Sequence, residues 1–292
     1  MVDILTLNYN DSETVISFLN SIKKFRVIHH ILVVDNCSTD DSFSELKKIE
    51  NDKITVIQTN HNGGYGAGNN FGMRYLAKHG MPQFVLQCNP DVIVSEATIK
   101  KMEAFLKKHN NYMIAAPFMH DKNGNKISYS SFPLATKWQF IFSLDIVLNK
   151  ILPLNSYSNL LMCRADYKEV GAVAGSLFMM NLPKMLKTRM YDENIFLYCE
   201  EMSLGFRIKK TGYKIALLPQ ESFIHNHSVS ISKTFKSEYA KRKLLINSKL
   251  YMIREYYHAN EFEYLLAFIL SRLSFIELQI LQFMKLFIVK YF

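Results

Sequence analysis

The sequence predicts an α/β domain built on a largely parallel sheet. Three observations carry this expectation. Over the first ~120 residues, short strand-like runs alternate with helical patterns. Four of the runs end in polar clusters, at residues 8–10, 35–40, 60–70 and 89–91. Apolar residues make up 49% of the 292-residue chain, enough for a sizeable core without covalent staples.

The strand-like runs cover residues 3–7, 30–35, 54–59, 84–87 and 113–116, short and rich in apolar side chains. Between them, residues 12–24, 41–49, 65–78 and 95–107 carry apolar positions at helical spacing. Asp11 and Ser12 are placed to cap the first helix, and Ser95 with Glu96 to open the fourth. Residues 132–164, broken by Pro133 and Pro153, read as loop or short helices over the sheet. Residues 173–181 and 214–218 read as further strands, with a helix over 198–211 that Gly212 closes.

The net charge of +9 calls for a phosphorylated, anionic-lipid or nucleic-acid partner. No long basic run is present, and the positive charge lies among aromatics after residue 205, which favours phosphate or a membrane surface over nucleic acid. Cys37, Cys88, Cys163 and Cys199 form no CxxC pair, as expected for a reducing compartment. The strand-like start, with Asp3 and no basic stretch, is not a signal peptide and predicts a protein of the cytosol or a cytosolic membrane face.

Residues 262–292 are the most apolar part of the chain, although the longest unbroken run, 264–270, falls short of the ~20 residues that span a bilayer. Helical winding gathers Ser271, Arg272, Ser274, Gln279, Gln282, Lys285 and Lys290 on one side, with Leu, Ile and Phe opposite and Glu277 among them. This predicts an amphipathic helix lying in a membrane interface; packing on the domain or on a second copy, as a homo-oligomer, is the alternative.

Ligands of open α/β sheets bind beyond the carboxyl ends of the strands, where the four polar clusters fall. The glycine-rich stretch 62–70 suits a phosphate cradle at a helix start. It is no dinucleotide fingerprint, because Gly72 follows Gly66-x-Gly68 one position too late, and the P-loop lysine is absent. A nicotinamide-dependent oxidoreductase is thereby disfavoured. Asp91, after Pro90, suits Mg²⁺ or Mn²⁺ shared with substrate phosphates; helix capping is its bland role, for which Ser95 is better placed. Glu200 and Glu201 repel each other at a helix start and are either a solvated first turn or a reactive pair. His225 and His227 are ordinary satisfied imidazoles, or one of them completes a metal site with Asp91.

Taken in order, Leu5-Thr-Leu-Asn-Tyr-Asn10, Val33-Val-Asp-Asn-Cys-Ser-Thr-Asp40, Asn62-Gly-Gly-Tyr-Gly-Ala-Gly-Asn-Asn70, Asn89-Pro-Asp91, Gly175-Ser176, Tyr191-Asp-Glu193, Phe196-Leu-Tyr-Cys-Glu-Glu201, Arg207, Gly212-Tyr213 and His225-x-x-x-x-Ser230 resemble glycosyltransferase family 2, in particular its bacterial rhamnosyltransferase-like branch. The resemblance implies a GT-A fold over residues 1–230, with a nucleotide-binding half (1–120), an acceptor-binding half (121–230) and a helical segment (231–292) to follow. It implies that Thr6, Asn8, Asp35 and Asn62 hold the nucleoside with Asn10 and Ser38 beside them. Gly64, Gly68 and Asn70 would lie near the sugar and phosphates. Asp91 matches the last acid of the family's metal motif, with Asn89 in place of its first aspartate, and His225 the histidine that approaches metal and diphosphate.

The family's catalytic base is the second acid of a Glu-Asp pair, here Glu201, one methylene longer; the choice between Glu200 and Glu201 stays open. The implied reaction is inverting transfer of a sugar from a nucleotide diphosphate, dTDP-rhamnose by analogy with the branch, to a lipid-linked or polysaccharide acceptor in cell-surface polysaccharide synthesis. Residues 132–164 would keep water from the donor, and Lys236, Lys241, Arg242, Lys243, Lys249 and Arg254 would meet lipid headgroups or a lipid-linked diphosphate. The protein would sit on the inner face of the cell membrane, with no nucleic-acid partner. Met202-Ser203 stands where an acid is usual, and the Gly-Gly-Phe before Asp192 is missing. These departures motivate the rival reading, a non-catalytic nucleotide-sugar-binding module of an assembly complex.

Overall fold

The computed structural model describes residues 1–151, 165–226 and 237–291, with side chains to residue 284. Strands β1 (Val2–Asn8), β2 (Ile28–Asp35), β3 (Ile54–Gln58) and β4 (Phe84–Cys88) alternate with helices α1 (Ser12–Ile22), α2 (Ser42–Lys47) and α3 (Tyr65–Lys78). β5 (Val92–Val94), α4 (Glu96–Lys108) and β6 (Tyr112–His120) complete the first half. The second half brings β7 (Ser131–Phe132), α5 (Lys137–Phe142), α6 (Ile146–Ile151), β8 (Lys168–Val170), β9 (Ala172–Val173), β10 (Leu177–Asn181) and α7 (Leu182–Lys187). After these come α8 (Glu200–Lys210), β11 (Lys214–His225), α9 (Glu238–Glu255) and α10 (Glu261–Tyr291).

The main sheet runs β3-β2-β1-β4-β10-β6-β11-β5, with β8 on β11; β7 and β9 form a separate pair. β1 to β4 pair in parallel, as strands buried on both faces do. β10 enters antiparallel between β4 and β6, so the sheet is mixed. One apolar layer lies under α1 and α4, another under α3 and α7, and a third joins α5, α9 and α10.

Several expectations need correction. Residues 173–181 are not one strand: β9 ends at Val173, and Ala174–Ser176 turn before β10 begins. β11 does not stop at Leu218. Its register to β6 jumps between Leu218 and Ser222, and the strand then continues to His225 along β5. A bulge of this kind bends a strand and re-aims its side chains. Ser95 caps α4 by accepting the Thr98 N–H (3.0 Å), whereas Asp11 makes no cap bond to α1 and its side chain lines a cavity instead.

The terminal helix meets the domain through part of the side read as polar. Ser271 and Ser274 are buried, while Leu265, Ile269, Leu273, Ile276 and Ile280 are exposed. Each serine hydroxyl donates to the carbonyl three residues back, Ser271 to Phe268 (2.6 Å) and Ser274 to Ser271 (2.7 Å). With its polar group satisfied inside the helix, a serine packs as a small residue. Of the basic residues after 230, Arg242 and Lys249 turn inward, onto Leu144, Ser274 and Ser143. Cys163, His227, Ser230, Lys236 and the 230/231 boundary lie outside the described residues.

Candidate active site

A cavity of about 700 Å³ opens at the carboxyl ends of β1, β2 and β4, closed on its far side by α5, α8 and α9. Asn8, Asn62, Asn89, Glu200, Glu201 and His225 all line it. Residues far apart in the chain thus meet in one place.

On the side of β1 to β3, Asp35 is an organiser. Its carboxylate is fully buried and accepts from Asn8 Nδ2 (2.7 Å), Ser38 Oγ (2.6 Å), the Ser38 N–H (2.9 Å) and Gln58 Nε2 (3.0 Å). Ser38 Oγ in turn takes the Asn10 N–H (2.9 Å). Asn8 is thereby fixed, and its buried Oδ1 has no protein partner among the described residues. Thr6 is wholly buried beneath it and does not line the cavity. Asn62 Oδ1 accepts from Asn36 Nδ2 (2.9 Å) and the Gly64 N–H (3.0 Å). Gly64 has φ +90°, and a Cβ there would lie 2.1 Å from the Phe196 carbonyl oxygen. Only glycine lets the start of α3 approach the segment leading to the two glutamates so closely.

Asn70 does not reach the cavity. It is buried and stitches α3 to the Tyr191 backbone, with Nδ2 to the carbonyl (3.0 Å) and Oδ1 to the N–H (3.0 Å), and Nδ2 also reaches Glu193 Oε1 (2.8 Å). Gly68 likewise serves packing, since a Cβ would meet Leu7 at 2.6 Å.

Tyr65, given no role from sequence, joins the two halves. Its hydroxyl donates to the Gly175 carbonyl (2.6 Å), lies 3.2 Å from Asn89 Oδ1, and accepts from Gln87 Nε2 (3.2 Å). Burial and the nearby glutamates push this phenol well above its ordinary range, so it remains a donor.

Tyr198 and Cys199 precede α8 with φ +67° and +68°. Two such non-glycine residues in succession store about 1–3 kcal/mol each, strain of the kind found at functional sites. The turn sets Glu200 and Glu201 in the first turn of α8, where the helix dipole favours negative charge. Glu201 Oε1 accepts the Gly175 N–H (3.2 Å). Glu200 is only 6% exposed, and its Oε2 has no partner among the described residues. Burial and the charge of Glu201 push the Glu200 carboxyl well above the ordinary range. Burial also raises Glu201, while its own backbone N–H and that of Gly175 oppose the rise. Glu201 thus has the Gly175 N–H as well as its own to offset burial, whereas Glu200 has only its own and faces the Glu201 charge.

The β11 bulge explains the remaining pair. His225 registers with Val92 of β5, and the Asn226 N–H donates to the Asp91 carbonyl (3.0 Å). His225 Nε2 then lies 3.1 Å from Asp91 Oδ1, both side chains nearly buried. Asn89 is held by its N–H to the Ser176 carbonyl (2.8 Å).

From the α9 segment the sequence pointed only to cations, and the braces it supplies through Ser248, Tyr251 and Tyr256 were not foreseen. Ser248 Oγ donates to the Leu197 carbonyl (2.7 Å), and the Tyr251 and Tyr256 hydroxyls donate to Asp192 Oδ2 (3.1 and 2.7 Å). Arg207 of α8 pairs with the same carboxylate (2.9 Å).

Residues 3–171 match the sequence model of glycosyl transferase family 2. The chain is 26% identical over 239 residues to the low-salt glycan biosynthesis hexosyltransferase of Haloferax volcanii, covering 82% of this chain and 71% of that protein. It is 23% identical over 211 residues to a rhamnosyltransferase of Escherichia coli, covering 67% and 77%. Among solved structures, GalNAc-T7 with UDP, GalNAc and Mn²⁺ superposes with a TM-score of 0.59 at 15% identity, over 90% of this chain and 55% of that one. A mannosyltransferase from Pyrobaculum calidifontis with GDP-Man and Mn²⁺ gives 0.57 at 12%, over 89% and 65%. The chain therefore spans between half and two thirds of these two solved chains, and at such identities the likeness establishes the fold, which is GT-A. With the family match covering more than half of its length, this chain belongs to glycosyl transferase family 2 and is a glycosyltransferase.

Proposed function

We propose that the protein carries out inverting transfer of a hexose from a nucleoside diphosphate to a hydroxyl of a lipid-linked or polysaccharide acceptor in cell-surface polysaccharide synthesis. The observation that carries this reading is the meeting of Asn8, Asn89, His225, Glu200 and Glu201 around one cavity. Asn8 Oδ1 is an acceptor waiting for a base or ribose donor. Glu201 takes the proton of the acceptor hydroxyl as its oxygen attacks the anomeric carbon. The carbon–oxygen bond to the diphosphate breaks, and the diphosphate leaves with the electron pair.

Asp91 and His225 fit Mg²⁺ or Mn²⁺. A carboxylate and an imidazole side by side leave the other positions to diphosphate oxygens and water, as these ions accept. Among the described residues no cluster of three His, Cys, Asp or Glu could hold the ion alone, so the diphosphate is part of the site. When bound, the ion offsets charge on the departing diphosphate. The Escherichia coli relative is named a rhamnosyltransferase, which makes dTDP-rhamnose the donor to test first.

A thermal-shift panel of nucleoside diphosphates with Mn²⁺ tests the reading. One of them at a hundredfold excess over Kd is expected to raise Tm by about 5–10 °C, and its sugar conjugate to be hydrolysed slowly without acceptor. Silence across the panel would sink the proposal. Binding with neither transfer nor hydrolysis would favour the non-catalytic module.

The same reading places the protein peripherally on the cytosolic membrane face. Phe262, Leu265, Ile269, Leu273, Ile276 and Ile280 of α10 are exposed at helical spacing. The stretch Glu261–Met284 is long and apolar enough to cross a bilayer by length and composition, yet its other side is packed on the domain through Ala267, Leu270, Ser271 and Ser274. A helix so placed lies in the interface. Substituting Leu273, Ile276 and Ile280 together by glutamate is expected to cut flotation with anionic vesicles at least about tenfold. Undiminished flotation would remove the membrane claim, and a dimer-to-monomer change without vesicle binding would assign the face to a second copy.

A further inference from the structure

Lys249 is a cation in an unusual place. It lies on α9, with Leu245, Ile246 and Leu250 close to it in the chain, and it lines the cavity. Nζ donates to the Ser143 carbonyl oxygen (2.7 Å) and to Ser143 Oγ (2.8 Å), which uses two of its three donors. It sits 5.7 Å from the centre of the Phe140 ring. Among the described residues no carboxylate pairs with it, although Glu200 and Glu201 line the same cavity. Burial pulls its ammonium down to about 8, with Arg242 adding repulsion. A buried charge without a counter-ion is costly, and a cavity that keeps one is suited to receiving an anion.

The surroundings narrow the kind of anion. Asn8, Asn36 and Asn62 come from the ends of β1 to β3, whereas Lys249 and Leu245 come from α9 and Phe140 from α5. The Phe140 ring lies beside Lys249, and Phe132, Leu197 and Leu245 also line the cavity. A cation beside apolar and aromatic walls matches a group in which a phosphate adjoins a hydrocarbon chain. A purely saccharide acceptor would leave the ammonium without a counter-charge.

We propose that Lys249, seated on Ser143, forms an anion subsite at the α9 end of the cavity that takes the phosphate of an acceptor whose adjoining apolar chain lies against Phe132, Phe140 and Leu245. This rests on the glycosyl-transfer reading and chooses between its two acceptor classes.

The test titrates the full-length chain, saturated with its nucleoside diphosphate and Mn²⁺, with farnesyl diphosphate, farnesol and inorganic pyrophosphate by calorimetry. Filling the nucleotide site first removes the donor phosphates as competitors. Farnesyl diphosphate is expected to bind at least about tenfold more tightly than either of the others. Both Lys249→Met and Lys249→Gln are expected to weaken it at least about tenfold, with nucleotide affinity unchanged. The glutamine variant keeps a donor for Ser143, so it separates lost charge from lost packing, and nucleotide binding reports the fold. Equal affinity of wild type and variants for farnesyl diphosphate overturns the subsite. Pyrophosphate binding as tightly as the prenyl compound overturns the apolar half, and farnesol doing so overturns the anion half. Absence of nucleotide binding by the wild type strikes the underlying transfer reading instead.

Discussion

Glu201→Gln is expected to lower turnover by about 10²–10⁴-fold, the range for losing a general base, while affinity for the nucleotide sugar stays at the wild-type value. The amide keeps an oxygen for the Gly175 N–H, so the loss is of proton acceptance and not of position. Glu200→Gln is expected to leave turnover within about threefold, because burial and the Glu201 charge both disfavour the ionised form of the carboxyl it replaces. The acid limb of kcat/KM should lie above the ordinary glutamate range, since burial raises Glu201 and only its ionised form accepts a proton; the rate rises with pH through that limb. Stability moves the other way. A carboxyl raised by folding contributes stability that is present at low pH and lost as pH rises through its folded value. Glu200→Gln removes that loss, so its Tm advantage over wild type should grow with pH. A turnover loss confined to the Glu200 variant would reverse the assignment.

Asp91→Asn should remove the dependence of nucleotide binding on Mn²⁺ and lower transfer by at least about 10²-fold, in line with several kcal/mol of charge stabilisation forgone. The measurement is the difference in nucleotide-induced Tm shift with and without Mn²⁺, read beside activity. His225→Gln should act in the same direction, because its imidazole touches the same carboxylate. If the pair merely braced the end of β11 against β5, both substitutions would lower Tm but retain the full Mn²⁺ effect; that result would dismiss the metal role.

The first half was legible because its strands are buried on both faces and its helices keep a clean period; α3 begins and ends at Tyr65 and Lys78 as the spacing predicts. β5 escaped because it is three residues long with Ile93 exposed. The continuation of β11 escaped because Pro219 reads as a strand end, and a bulge has no signature in periodicity. That continuation is what carries His225 to Asp91. Which side of α10 meets the domain was not legible, because serine counts as polar in any helical winding, yet Ser271 and Ser274 satisfy themselves and go inward.

The candidate site was legible as polar residues at strand ends, and less so as roles. Asp35 and Asn70 look from sequence like ligand contacts, but their hydrogen bonds are spent within the protein. Tyr65 stood inside a glycine-rich stretch that drew attention to backbone, not to a phenol. Lys249 was one of a scatter of cations, and only packing distinguishes it from its solvated neighbours.

The bonds from α9 to Leu197 and Asp192 have a consequence for how the enzyme comes into being. Leu197 and Asp192 lie in the segment leading into the strained turn before the two glutamates, and the braces on them come from chain synthesised after the whole sheet. A growing polypeptide that has finished the sheet already has the polar strand ends proposed to hold the nucleotide, yet lacks the clamp on the segment that carries Glu200 and Glu201. Competence to transfer thus arrives late in synthesis, together with the helices that carry the exposed apolar face.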